Sequence, residues 1–423
     1  MNTTTEARTA GEAPRPAPRG VIAFVLLMML VDAMGLGIVV PVTPRLIMEL
    51  TGSAVGGAAG MGGALLAAYA VMQFLFAPVL GNLSDRFGRR PVLLGSLAAL
   101  LIDYLIMGLA PTLGWLFVGR MLAGSAGATY PTANAVIADV TPGAERARYF
   151  GMLGAGWGVG FILGPVVGGL LGGFGSRVPF FAAAGLVALN LLLGLVVFRE
   201  TLGLENRRPF ALKRSHLLAA LRELRAYPVA LLLLVVVVLY QIAHDVLPAT
   251  WTFYMIERFH WSPREIGLSL AAVGICTAIV QGGLVGPITK RLGEKTSVYL
   301  GLLIGAASML GYATAPSTPW LLVAIAVGAF FGLTMPALQS VMTRNVAANA
   351  QGELQGAIAG IGSLIAIFAP IAMTQLFRGF SSASPPLGLH VPGAAFIAGA
   401  LALAVATLFF RRAMARTGAT AAS

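Results

Sequence analysis

Charge is scarce in this chain. Asp, Glu, Lys and Arg supply only 10% of the 423 residues, while hydrophobic side chains supply 57%; an ordinary soluble domain carries about 25% charged residues. Cysteine is scarcer still. The single residue, Cys276, lies in an apolar run, which excludes an intramolecular disulfide and leaves an inert buried thiol as the expectation. The four histidines, His216, His244, His260 and His390, are scattered without metal-ligand spacing, so no bound metal is expected. No GxxxxGK[ST] phosphate loop occurs, which argues against nucleotide-driven work. A membrane enzyme or a non-transporting receptor would want a catalytic constellation or a large soluble domain, and neither is visible.

What the sequence has in quantity is apolar runs of membrane-spanning length. Mean hydropathy is +0.85, and about 12 segments of roughly 20 residues each can be placed along the chain. They fall near 20–44, 58–81, 91–110, 113–138, 148–174, 178–198, 229–255, 265–287, 296–314, 319–341, 355–377 and 392–410. The expected fold is therefore an all-α integral membrane protein with twelve transmembrane helices. Residues 1–19, rich in Ala, Pro, Thr and Arg, read as a disordered tail. With the run from Val21 they have the outline of a secretory signal, but Asp32 interrupts that run and apolar sequence continues to Val42, so a retained first helix is expected.

The basic residues are distributed unevenly. With the N-terminus in the cytoplasm, 22 of the 28 Lys and Arg fall on the cytoplasmic side and 5 on the other: Arg45, Arg177, Arg258, Arg264 and Arg378. Arg120 fits neither side. This bias places both termini in the cytoplasm and accounts for the net charge of +12 without a nucleic-acid partner.

One offset recurs. Adding 205 carries Gly62 to Gly267, Gly81 to Gly286, Gly88 to Gly293, Pro131 to Pro336, Gly151 to Gly356 and Pro165 to Pro370. The chain then reads as two six-helix repeats in parallel orientation: a tail at 1–19, a bundle at 20–198, a cytoplasmic linker at 199–228, a second bundle at 229–411 and a tail at 412–423. Repeats of this kind build transporters with a midplane site between the halves. The copies differ in one informative place. GNLSDRFGRRPVLL at 81–94 carries Asp85, Arg86, Arg89 and Arg90, whereas its copy GPITKRLGEK at 286–295 puts Lys290 for Asp85 and Glu294 for Arg89. A topological anchor needs only positive charge. Asp85 therefore suggests a cytoplasmic gate, with the three arginines around it.

Charges at bilayer depth cost at least about 2.5 kcal/mol, so each is a functional candidate. They are Asp32, Asp103, Arg120 and the pair His244–Asp245. A carboxyl held out of water favours its protonated form, which suits proton binding near neutral pH. Arg120, Gly124 and Ala128 recur every four residues, placing a charge and two small side chains on one helical face. The next segment carries Gly156, Gly160, Gly164 and Gly168 at the same spacing, with Pro165 and Gly169 alongside: a bare face for close packing, a kink and a candidate hinge.

These features together resemble the major facilitator superfamily, in its drug:proton antiporter branch, and within it the tetracycline efflux proteins. GNLSDRFGRRPVLL is similar to the superfamily's loop motif between helices two and three, GRMLAGSAGA to its fourth-helix motif, and GWGVGFILGPVVGG to the antiporter motif of helix five. Longer strings carry the tetracycline-exporter likeness: LVDAMGLGIVVPV, YAVMQFLFAP, IDYLIM, GRMLAGSAGAT, VIADVTPGAERARYFG, RLGEKTSV and MPALQSVM. The resemblance implies coupling or substrate roles for Asp32, Gln73, Asp103 and Arg120, and gating by Asp85 with Arg89. It implies a monomer in the bacterial inner membrane, driven by the proton gradient with no cofactor, exporting a compound such as tetracycline, including its metal-chelated form. The alternative on the same scaffold is a metabolite exporter or proton-linked symporter; the glycine-rich fifth helix argues against symport. Two positions depart from the pattern: Thr277 stands where tetracycline exporters carry a histidine, and Gly305 where they carry an aspartate. His244 and Asp245, on helix seven, offer the same two side chains in another place.

Overall fold

A computed structural model of the chain describes residues 19–127, 129–209, 222, 224–382 and 385–422. Ala128, His216, most of the tail at 1–19 and much of the linker lie outside the described residues. The described chain is helical throughout: α1 Arg19–Val39, α2 Thr43–Thr51, α3 Val55–Phe87, α4 Arg89–Leu109, α5 Leu113–Ser125, α6 Thr129–Val140, α7 Gly143–Leu171 and α8 Val178–Val197 precede the linker. After it come α9 Pro228–Phe259, α10 Pro263–Ile279, α11 Val285–Leu292, α12 Glu294–Thr314, α13 Thr318–Gly328, α14 Thr334–Arg344, α15 Gln351–Phe380 and α16 Ala394–Ala422. Among the described residues, eleven helical stretches are long and apolar enough to cross a membrane.

Local chemistry explains where the helices depart from the apolar segments. The first stops at Val39, short of 44, because Pro41 and Pro44 cannot continue the backbone ladder, and Pro44 instead opens the short α2. The segment expected at 113–138 is divided after Ser125 into α5 and α6, of 13 and 12 residues, each too short to span alone. The segment at 319–341 is interrupted by a 3₁₀ turn at Ala329–Leu333, and that at 265–287 by a π turn at Val280–Leu284. The interruption between α5 and α6 and that between α13 and α14 stand at the same place under the 205-residue offset. Helix α16 carries on well past residue 410 to Ala422.

Among the described residues, the close glycine contacts between helices before and after the linker gather toward one end. A side chain at Gly63 would overlap Thr374 and Pro370 of α15, and one at Gly169 would overlap Pro263 at the start of α10. Gly267 faces Pro165 in the same way. At the other end the equivalent glycines Gly81, Gly151, Gly286 and Gly356 meet nothing within 4 Å. The molecule is a cleft closed at the end that holds residues 56–63 and opened at the end that holds Gly81.

Candidate functional site

Polar side chains of α1, α3, α4 and α5 converge inside the first bundle. Asp103, wholly buried on α4, pairs with Arg120 of α5, itself 9% exposed. The Arg120 guanidinium lies 5.8 Å from the centre of the Tyr69 ring, and Gln73 on the next turn of α3 donates to the Tyr69 hydroxyl at 3.4 Å and to the Gly127 carbonyl at 3.5 Å. That last contact reaches the gap between α5 and α6, where the helix break leaves carbonyls without their usual partners. Gly124 is required there: a side chain would overlap the backbone of Tyr69. Asp32, on α1 and also 9% exposed, has no ion pair among the described residues, although Tyr69 and Tyr104 both lie within reach of its charge. The two acids are thus unlike: Asp103 is neutralised by an arginine and Asp32 is not.

The glycine stripe of α7 lies along α1. Side chains at Gly160, Gly164 and Gly168 would overlap the carbonyls of Leu30, Met34 and Ile38 in turn, and Gly156 approaches that of Leu26. The stripe therefore seats the backbone of the helix bearing Asp32. The Pro165 carbonyl and Gly169 face the other way, onto α10, while the Pro165 ring lies against Gly37 of α1.

At the open end, Asp85 accepts from Arg89 Nη1 at 2.6 Å, and Arg89 Nε donates to Asp139 at 3.0 Å. Gly88 makes the turn at φ 106°, a conformation that a side chain would strain, and the Glu200 carboxylate fills the space beside it. Glu200 accepts from the backbone N–H groups of Arg89 at 2.8 Å and Arg90 at 3.1 Å, capping α4, while Arg90 donates to the Leu195 carbonyl at 2.8 Å. Arg86 points outward over the Phe87 ring. Asp139 and Glu200 were not expected; Asp139 lies within a string already singled out, VIADVTPG, but Glu200 is 111 residues from Arg89 and nothing local marks it. The second copy reverses the signs of the Asp85–Arg89–Asp139 trio and keeps those of Arg86 and Arg90, at Arg291 and Lys295. Lys290, Glu294 and Arg344 stand at the offset positions of Asp85, Arg89 and Asp139, and Glu294 pairs with Arg344 at 2.7 Å. Gly293 repeats the positive φ of Gly88.

In the second bundle, His244 and Asp245 do meet, Nδ1 to Oδ1 at 3.4 Å, and Gln241 donates to the same oxygen at 3.1 Å. His244 is half exposed. Trp251, an apolar residue of the same helix, belongs instead to the core: it is 1% exposed, donates to Ser269 Oγ at 3.0 Å and packs edge-on against Tyr312 and Phe396. Phe74 and Phe76 of α3 remain exposed. Cys276 is half-buried rather than fully enclosed.

Long apolar helices that pack together at one end and part at the other, with acidic and basic side chains buried among them, are the architecture of a membrane transporter. The Major Facilitator Superfamily pattern matches residues 25–370, and the chain belongs to that family. It is 44% identical over 357 residues to the tetracycline resistance protein, class C, of Escherichia coli, covering 83% of this chain and 88% of that one. It is 30% identical to multidrug resistance protein 2 of Bacillus subtilis, covering 87% and 90%. Its fold matches the inward-facing, occupied structure of a bacterial homologue of the human lysosomal transporter Spinster, with a TM-score of 0.76 at 18% identity over 95% of this chain and 98% of the other.

Proposed function

We propose that this chain is a proton-coupled antiporter of the bacterial inner membrane that exports an amphipathic drug-like compound, tetracycline first among the candidates, by alternating access. In this reading twelve spans cross the bilayer as two six-helix bundles, at about 20–198 and 229–411. The twelfth span is the broken pair α5–α6, and both termini are cytoplasmic. The open end of the cleft then faces the cytoplasm. The observation that carries the proposal is Asp32. It is a buried carboxyl without an ion partner among the described residues, on the helix that the α7 glycines seat.

The cycle follows from that acid. With Asp32 ionised, the inward-open cleft attracts substrate; a proton arriving from outside neutralises it and releases the substrate there. Each inward proton supplies about 2.3 kcal/mol per 100 mV of membrane potential. The Asp103–Arg120 pair, together with Tyr69 and Gln73, holds α3, α4 and α5 in register around Asp32. Asp85 and its arginines act at the cytoplasmic gate when the open end closes, and Pro165 with Gly169 forms the contact about which the bundles rock. No cofactor takes part, and one chain suffices.

Everted vesicles from a pump-deficient strain, energised by a pH gradient, test the export claim. They should accumulate tetracycline or another amphipathic antibiotic when the protein is present. Failure to accumulate any of a panel of drug classes would reject it.

A further inference from the structure

Two irregular helices meet beside His244 and Asp245. The 3₁₀ turn at Ala329–Leu333 presents Phe331, and the π turn at Val280–Leu284 presents Gln281, which lies against Gly332 in that 3₁₀ turn. Such interruptions cost backbone hydrogen bonds and gather at functional sites. Phe331 packs on Tyr240 with ring centres 4.6 Å apart and stands 6.5 Å from the His244 ring; Tyr240 and His244, one turn apart on α9, are 6.0 Å apart. Gly305 of α12 makes the arrangement possible, because a side chain there would collide with the Phe331 ring. A carboxylate at position 305 would occupy that same space, so Phe331 and an acid at 305 exclude each other.

Behind the rings lies an uncompensated acid. Asp245 Oδ1 is held by Gln241 and His244, while Oδ2 is buried with no hydrogen-bond partner among the described residues. A buried carboxylate oxygen without a donor is costly unless something positive approaches it. A small inorganic cation would want several oxygen ligands, whereas the walls here are mainly aromatic faces, those of Tyr240, His244 and Phe331. An organic cation uses aromatic faces and a nearby negative charge together. His244 is exposed, and a His–Asp pair facing hydrocarbon would be expensive, so its open side belongs to the water-filled cleft.

We propose that Tyr240, His244, Asp245 and Phe331 form a subsite for an organic cation, the tertiary or quaternary ammonium group of an exported compound. The proposal deepens the exporter reading and rests on it. It also explains why the second bundle carries its acid on α9: with position 305 a glycine, the aromatic wall and the carboxylate stand side by side.

The test is equilibrium binding to the purified full chain in detergent, using tetraphenylphosphonium as the cationic probe and triphenylphosphine oxide as a neutral one of similar shape. The wild type should bind the cation more tightly. Asp245→Asn should weaken cation binding ~10-fold and Phe331→Leu ~5-fold, each leaving the neutral probe within ~2-fold. Retained affinity for the neutral probe shows that the variants are folded. Equal affinity of the wild type for both probes, or cation binding untouched by Asp245→Asn, overturns the assignment. So does loss of cation binding in Asp32→Asn but not in Asp245→Asn. No gradient is needed, so intact cation binding without export upholds the subsite and counts against the exporter reading alone.

Discussion

The Asp103–Arg120 pair and the lone Asp32 are separated by their electrostatics, and each yields a different expectation. Asp103 and Arg120 are buried together. Removing either leaves the other charge without compensation, which costs roughly 3–5 kcal/mol. Asp103→Asn and Arg120→Gln should therefore each lower the thermal unfolding midpoint sharply, while the double variant should recover much of the loss; equal or additive losses would show that the two groups do not act as a pair. Glu200 is a separate case. It caps α4 through two backbone N–H groups, so Glu200→Ala should cost about 1 kcal/mol, measured by unfolding, and should loosen the turn at Gly88. Asp32, Asp103 and Arg120 were legible in the sequence, because a charge in an apolar run is conspicuous. Glu200 was not, since it lies in a polar stretch and its partners come from a distant helix. Trp251, buried with a bonded indole N–H, is a packing residue, the usual role of a large aromatic side chain in an apolar helix.

Among the elements, α7 is the one whose sequence spacing translated most directly into structure. Glycines four apart predicted a close approach, and the partner is the α1 backbone. Gly168→Val should force the two helices apart and reduce the yield of folded protein, whereas Gly154→Val, with nothing within 4 Å of the added group, should leave it nearly unchanged. Fluorescence-detected size-exclusion chromatography reads both. The interruptions of α5–α6, α10–α11 and α13–α14 were not legible. GAFFGL continues the apolar run around it, and GSAGATYP, though small and weakly polar, lies inside a longer apolar stretch, so hydropathy alone does not separate the helices there. The close approach of Phe331 to Gly305 was not legible, because the ring comes from another helix and nothing local to residue 305 marks it.

For the whole molecule, the 205-residue offset carried furthest. It placed the turn glycines Gly88 and Gly293, and the structure adds to it two helix interruptions and two ion-pair clusters of opposite sign at matching positions. The offset could not reveal which end of the cleft is open, because that depends on which of two packings the helices adopt. Accessibility to a membrane-impermeant maleimide reports it. In a Cys276→Ser background, a cysteine at Gly356 should react rapidly from the cytoplasmic side and one at Ala58, which is fully buried, should not. Outward-facing conditions should reverse the order; a fixed order under all conditions would contradict alternating access.

The central claim is that Asp32 couples export to protons. Proteoliposomes loaded with a pH-sensitive dye and given a tetracycline gradient measure it directly, since substrate leaving by the carrier must be matched by protons entering. The wild type should show substrate-dependent proton movement, and Asp32→Asn should reduce it at least ~10-fold while the protein stays folded. Proton movement in Asp32→Asn equal to that of the wild type would contradict the account.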